Sequence, residues 1–333
     1  MPMGKGYLKV SVTTGSGALP VAGANVTVAD AQGNILYRLV TDEDGNTGKV
    51  EINAPDKAVD LDPDYVGDYY AVCDVKIEAE NYDTVIVNGV QIFDTVTTIL
   101  PVNMAPVLEE GAQPEYAVRI DIPAPAIISE EHTHQSNGQT RQDPAGITPA
   151  IQGDVKIPER IRVQQGAPNA IANVVSVTFP DYIKNVCSSE IFPTWPDASL
   201  EANIYCQISL ALNRIFTEWY PSQGKYFDIT NNTGWDQAFT YGRNIYDNIS
   251  VMVDRIFNRF VRREGHKEPF YTEYCDGKKA TCPGLKQWGT VDLANRGYTP
   301  IQILRYYYPK DIQLVETNNI APVQESYPGY PLS

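Results

Sequence analysis

The chain has 333 residues, a formal net charge of −15, and 43% hydrophobic against 20% charged residues, a balance typical of a folded protein long enough for two cores. So acidic a chain excludes the phosphate backbone of nucleic acid as a partner, because that contact depends on Lys and Arg patches. No apolar run approaches the roughly 20 residues that cross a bilayer as a helix. MPMGKGYLKVSV also lacks the apolar core and cleavage site of a secretory signal; no membrane span and no ordinary export signal are therefore expected.

Residues 7–104 read as strands, and the first domain is placed at 1–106. Leu8, Val10 and Val12 alternate with polar neighbours, as do Val26 and Val28, the period of half-buried β-structure. Turn chemistry punctuates them at Ala31–Asn34 and at Asp42–Asn46, which predicts a small antiparallel β-sandwich. The acidic turn lacks the full ligand series of a calcium loop and reads as a solvated turn. Cys73 is expected to be a buried strand thiol. PVAGANVTVAD, TDEDGNTGKVEI and YYAVCDVKIEAENYDTVIVNGV resemble, in that order, a carboxypeptidase-regulatory-like module. The resemblance implies an accessory role in packing, spacing or binding, and no chemistry.

From 107 to 158 prolines recur and SEEHTHQSNGQTRQDPAG is almost free of apolar residues. This predicts an extended linker with one strand, AVRIDI. His132 and His134 form an HxH pair that can ligate a metal, but so polar a segment favours a solvent-facing pair.

The third region, 159–315, is mixed α+β, followed by a tail at 316–333. A strand at Val174–Phe179 leads through Pro180 into a short helix, DYIKNVCSSEIF, and Pro193 and Pro196 break it. A long helix is predicted from Leu200, Ile204, Ile208, Leu212, Ile215 and Trp219 at helical spacing, with Gly224 beyond its end. A second is predicted from Ile245, Ile249, Val253, Ile256 and Phe260. Arg255, Arg259, Arg262 and Arg263 would then lie along its C-terminal end, where cations oppose the helix dipole. Five cysteines make no disulfide scaffold. Cys275 and Cys282 flank the short turn CDGKKATC and are expected to be bonded. Zinc is the rival reading, although the six residues between them exceed the usual ligand gap. Cys187 and Cys206 lie on consecutive helices and can meet.

Glu190 stands out by its surroundings. It ends the short helix immediately before Ile191, Phe192, Pro193 and Trp195. An apolar wall beside a carboxylate disfavours its charged form and raises its pKa toward the range of a general acid. The bland alternative is a capping or ion-paired Glu, with Lys184 as partner. An ordinary two-carboxylate hydrolase would need a second acid such as Asp236 or Glu218. Asp236 and Gln237, in WDQAFTYGR, are read as structural partners of Arg243.

IRV, VTFPDYIKNVCSSEIFPTWPDASLEANIYCQISLALNR and CPGLKQWGTVDLANRGYTPIQILRYYYP are similar, in order and spacing, to the stage II sporulation protein D family. The first family segment falls on Tyr182, Val186 and Glu190. The distal one falls on Gln287, Trp288, Gly289, Leu293, Ala294, Gly297, Ile303, Leu304, Tyr307 and Tyr308. The resemblance implies a lytic transglycosylase acting on peptidoglycan glycan strands, with Glu190 as general acid/base and Ser189 beside it. By their own chemistry Gln287 can bond sugar hydroxyls, Trp288 can stack on a sugar face, and Tyr182 and Tyr274 can donate hydrogen bonds in a cleft; the alternative places Trp288 in the core and makes both tyrosines half-buried structural residues. Where the family's helix carries a lysine and an arginine, this chain has Glu201 and Ile208. Glu201, near the cleft, is then expected to raise the pKa of Glu190 further and to repel an anionic glycan. Some members bind zinc near the distal motif; the loop here has no histidine, so neither metal nor cofactor is expected. The alternative is a non-catalytic glycan-binding or structural component of a cell-surface or phage-tail-like assembly, joined through the β-module. Either reading places the protein at the bacterial cell wall or packaged in a particle.

Overall fold

The computed structural model describes residues 3–107, 117–128 and 153–322, and it has the α+β class expected. His132 and His134 lie outside the described residues. The chain divides into two compact units. The first comprises residues 1–124 together with 192–194 and 240–250, and the second comprises 125–191, 195–239 and 251–333. The first unit thus runs past the boundary at 106 and takes up two later segments, which local pattern had assigned to the second domain.

The first unit is a two-sheet sandwich. Its strands are β1 (Met3–Thr14), β2 (Leu19–Pro20), β3 (Asn25–Asp30), β4 (Ile35–Val40), β5 (Val50–Pro55), β6 (Ala71–Glu78), β7 (Val85–Ile92), β8 (Thr97–Asn103) and β9 (Val118–Asp121). One sheet runs β4-β3-β6-β7-β9, and in the other β1 lies between β8 and β5. Pairing is mostly antiparallel, but β1 with β8 and β7 with β9 run parallel; β9 is the strand AVRIDI. Alternation puts Leu8, Val10 and Val12 of β1 into one apolar cluster with Val26, Val28, Val75, Ile77 and Val87 of the opposite sheet. Cys73 is buried among them. The turn at Asp42–Asn46 satisfies itself, since the Asp42 carboxylate accepts the Asp44 and Asn46 amides. Gly45 there has φ of +73°, and a Cβ would stand 2.3 Å from the Val12 carbonyl oxygen, so only glycine fits.

Farther along the chain come β10 (Ile157–Pro158), β11 (Arg160–Gln164), β12 (Val174–Thr178), α1 (Phe179–Glu190), α2 (Asp197–Phe216), β13 (Ile229–Thr230), β14 (Ile245–Tyr246), α3 (Asp247–Ile256), β15 (Arg259–Arg263), β16 (Tyr274–Cys275), β17 (Leu285–Lys286), α4 (Gln287–Asn295), α5 (Pro300–Tyr307), β18 (Ile312–Glu316) and β19 (Ile320–Ala321). β14 belongs to the first unit and pairs with β8. In the second unit α2 is buried along most of its length. Thr178 caps α1 through the Asp181 amide, with Pro180 in the first turn. Among the described residues, no helix is long and apolar enough to cross a membrane.

The second long helix differs from expectation. α3 stops at Ile256, Ile245 is in β14, and Phe260 sits in β15, which pairs antiparallel with β18. Arg259, Arg262 and Arg263 are therefore strand residues. Arg259 pairs with Glu316 and Arg263 with Asp311, so these two answer acids on or beside the neighbouring strand, while Arg255 does lie in the last turn of α3. Phe-Val in RFVRR suits a strand, and its partner lies some 50 residues away, where no local periodicity can show it. Likewise α2 ends at Phe216 and Trp219 falls beyond it, past Glu218, whose φ is +46°.

Candidate functional site

Glu190 occupies the last turn of α1 and is 2% exposed. Its Oε1 accepts the Ala238 amide at 3.0 Å and the Tyr274 hydroxyl at 2.9 Å. Its Oε2 accepts the side-chain amide of Gln207 at 2.9 Å and that of Gln287 at 3.5 Å. The donors come from α2, from the segment before 240, from β16 and from the first residue of α4, so four separate stretches of chain converge on one carboxylate. Gln237 ties them together. Its carbonyl accepts the Tyr182 hydroxyl at 3.0 Å, and its amide donates to Tyr274 Oη and to the Gln207 carbonyl. Tyr182 is held from its other side by stacking on Phe239.

Burial pushes the Glu190 carboxyl up from its ordinary value of 4.5 to about 7, against the lowering effect of those hydrogen bonds. No like charge is needed for this. Glu201 turns to Arg255 and is not among the causes of the shift, so the expected repulsion is corrected: the carboxylate that was to face the cleft is spent on an ion pair. Ile208 is wholly buried core. Lys184, the other suggested partner of Glu190, pairs with Asp254 at 2.8 Å.

Ser189 is buried and its hydroxyl donates to Asn185 Oδ1 at 3.2 Å, while its backbone carbonyl accepts the Ala126 amide; the Glu190 carbonyl accepts that of Ile127. Trp288 is 7% exposed and packs against Trp195 with ring centroids 5.0 Å apart, so it supports the site from the core. Asp236 does not pair with Arg243. Its Oδ1 takes the Arg214 Nε at 2.7 Å, and its Oδ2 takes the Tyr220 hydroxyl and both the amide and the hydroxyl of Thr230. Those bonds make Asp236 the buried counter-ion of Arg214 and the anchor of the segment that follows it. Arg243, in the first unit, instead donates to Gln91 and to the Asn244 carbonyl.

A pocket of about 100 Å³ opens beside this cluster, lined by Leu210, Thr233, Trp235, Tyr271, Tyr274 and Thr281 among others. Trp235 is half exposed at it. Tyr274 is shared, bonded to Glu190 and lining the pocket.

The distal motif is built around a close approach. Cys275 and Cys282 form a disulfide, so they are not zinc ligands. Among the described residues no three His, Cys, Asp or Glu side chains are grouped to hold a metal. Cys187 and Cys206, both buried, are not disulfide-bonded. The Asp276 carboxylate accepts the amides of Lys278, Lys279 and Ala280, which closes the turn. β16 then lies parallel to β17, with Gly284 so near that a Cβ would sit 1.7 Å from the Glu273 carbonyl oxygen. Gly284→Ala must push these segments apart and draw Tyr274 and Gln287 from Glu190. The expected cost is about 3 kcal/mol, a fall in melting temperature of roughly 6–12 °C. A thermal melt within a degree or two of wild type would show that the approach is not required.

Sequence reasoning missed Gln207 and Ala238. Gln207 had a visible signal, an amide on an otherwise buried helix, whereas Ala238 acts through its backbone and leaves none.

No family model matches the chain, and no curated protein matches it. Among solved structures, catechol 1,2-dioxygenase from Acinetobacter sp. ADP1 aligns at 13% identity over 35% of this chain and 59% of that one, with a TM-score of 0.23. A type II cohesin–X-dockerin complex from Acetivibrio cellulolyticus aligns at 18% identity over 32% and 64%, with a TM-score of 0.20. BcpA, the major pilin subunit of Bacillus cereus, aligns at 13% over 35% and 28%, with a TM-score of 0.18. The chain spans less than two thirds of each of these proteins, and likenesses this slight decide neither fold nor activity.

Proposed function

We propose that the second unit is a lytic transglycosylase domain of the stage II sporulation protein D type, cleaving peptidoglycan glycan strands with Glu190 as general acid/base. The observation that supports this most is the meeting of the two motifs. Glu190 of the first segment and Gln287 of the distal one, 97 residues apart, share a hydrogen bond, and Tyr274 carries the same carboxylate to the wall of a pocket. A carboxyl with a pKa of about 7 holds a proton near neutrality and can give it to the glycosidic oxygen as the C–O bond breaks. The carboxylate so formed keeps its four donors and then takes the proton of the sugar's own 6-hydroxyl as that oxygen attacks the anomeric carbon. The product is a 1,6-anhydro sugar, and neither water nor a second acid enters. The β-module and linker suit attachment to a larger assembly at the cell wall.

A second reading, glycan binding without cleavage, is favoured by the 2% exposure of Glu190 and by the full set of donors on it. One experiment separates the two. Peptidoglycan, with and without its stem peptides, is digested with wild type and with Glu190→Gln, and products are read by mass. Anhydromuramyl ends reduced at least about 100-fold in the variant are the expected result. Intact strands pulled down equally by both proteins would instead establish the binding reading.

A further inference from the structure

The Cys275–Cys282 bond closes a loop whose two flanks both hold Glu190. Tyr274 immediately precedes Cys275 and donates to Oε1, and Gln287, just past β17, donates to Oε2. Between the flanks, the Leu285 amide donates to the Glu273 carbonyl and the Trp288 amide to the Asp276 carbonyl, so backbone bonds and the disulfide fasten the same two segments. The two sulfurs differ. Cys275 is buried, whereas Cys282 is half-buried and lines the pocket. Cys73, Cys187 and Cys206 are buried thiols, so a thiol reagent in solvent meets Cys282 first. The Lys286 ammonium lies 3.6 Å from Cys282 Sγ and is also held by the Gly284 carbonyl, a position that stabilises a thiolate on that sulfur.

We propose that Cys282 is a thiol–disulfide exchange site at which a dithiol reductant opens the 275–282 loop and releases Tyr274 and Gln287 from Glu190. One thiolate of the reductant attacks Cys282 Sγ, and the S–S electron pair leaves with Cys275 Sγ, which takes a proton. The second thiolate of the reductant attacks its own sulfur in the mixed disulfide and expels Cys282 as a thiolate beside Lys286. The protein gains two electrons and, on Cys275, one proton; the reductant's other proton passes to solvent and the reductant becomes its cyclic disulfide. Opening restores the chain entropy that the bond removes, and it does so in the segment that carries two of the four donors on Glu190. The oxidised form is the assembled site and the reduced form is the loosened one. This rests on the Glu190 site as proposed above.

The full chain is treated with dithiothreitol under native conditions, alkylated and mapped by mass spectrometry, and the Leu285 and Trp288 amides are followed by hydrogen exchange. Two labels are expected, at Cys275 and Cys282, with exchange of both amides faster by on the order of 10- to 100-fold. A Cys275→Ser, Cys282→Ser double variant should exchange equally fast and ignore the reductant. A bond that resists dithiothreitol in the folded chain, or amides that keep their protection after reduction, overturns the proposal. Where wild type cleaves glycan, reduction should lower cleavage at least about tenfold; unchanged cleavage with loosened amides overturns the link to Glu190. Loosened amides in a protein that cleaves nothing in either redox form leave the exchange site standing and remove the cleavage reading instead.

Discussion

Between pH 4.5 and pH 8 the wild-type chain should lose about 3 kcal/mol of stability relative to Glu190→Gln. In the unfolded chain Glu190 titrates at its ordinary 4.5, and in the fold burial raises it to about 7. Below pH 4.5 both states hold the proton, and the preference of the fold for the neutral form contributes fully. As the pH rises the unfolded state ionises first, which favours unfolding, and the contribution is gone above about 7. The substituted amide does not titrate, so the difference between the two proteins isolates this one group. Other titrations, including that of buried Asp60, also raised to about 7, occur in both and cancel. The variant should fold, because the side-chain Oε1 of Gln207 has no hydrogen-bond partner among the described residues, and that amide can flip to accept from the new one. Urea denaturation of both proteins at pH 5 and pH 8 measures the swing. A difference that stays flat would mean that Glu190 carries no displaced proton, and with it would go the general-acid step. The same pKa sets the sign for the proposed cleavage, which would need the protonated acid and should decline as pH rises through 7.

The sandwich was legible because its strands are half-buried and its turns are chemically distinctive. Leu8, Val10 and Val12 announce their face by alternation, and DEDGN announces its turn. α2 was legible for the same reason at helical spacing. What failed to show was non-local. β15 reads as helix because Ile256 and Phe260 happen to stand four apart, and only β18 decides otherwise. The 240–250 segment reads as the helix-bearing domain until β14 pairs with β8. At the site, Glu190 was visible beside its apolar run and the Cys275–Cys282 loop by its length. The direction of the Glu190 shift was also read correctly, but half of the stated cause was not, because nothing local reveals that Glu201 faces Arg255. The second ring of contacts, from Gln237 to Asp236 and Arg214, depends on side chains that meet only when the fold closes.

That second ring carries the largest expected loss of stability. Asp236 is fully buried and compensates the Arg214 guanidinium, which also lies over the rings of Trp219, Tyr220 and Tyr271. Asp236→Ala leaves that cation buried with no opposing charge and strips the Tyr220 hydroxyl and the Thr230 amide of their acceptor. A one-sided break of this kind costs about 3–5 kcal/mol. Removing both charges, by Asp236→Ala with Arg214→Met, should recover a large part of it, since no unpaired ion remains. A double-mutant cycle by urea denaturation reads the coupling. Strict additivity of the two single losses would show that the pair is not acting as a unit. The consequence reaches Glu190 along the backbone, because Asp236 anchors the segment in which Gln237 braces Tyr182 and Tyr274 and Ala238 donates to Oε1. With that anchor gone the carboxylate loses its best backbone donor while staying buried, so its pKa should move above 7 rather than below it. The decline of cleavage with pH would then shift upward in Asp236→Ala, a displacement that a loss of folded protein alone cannot produce.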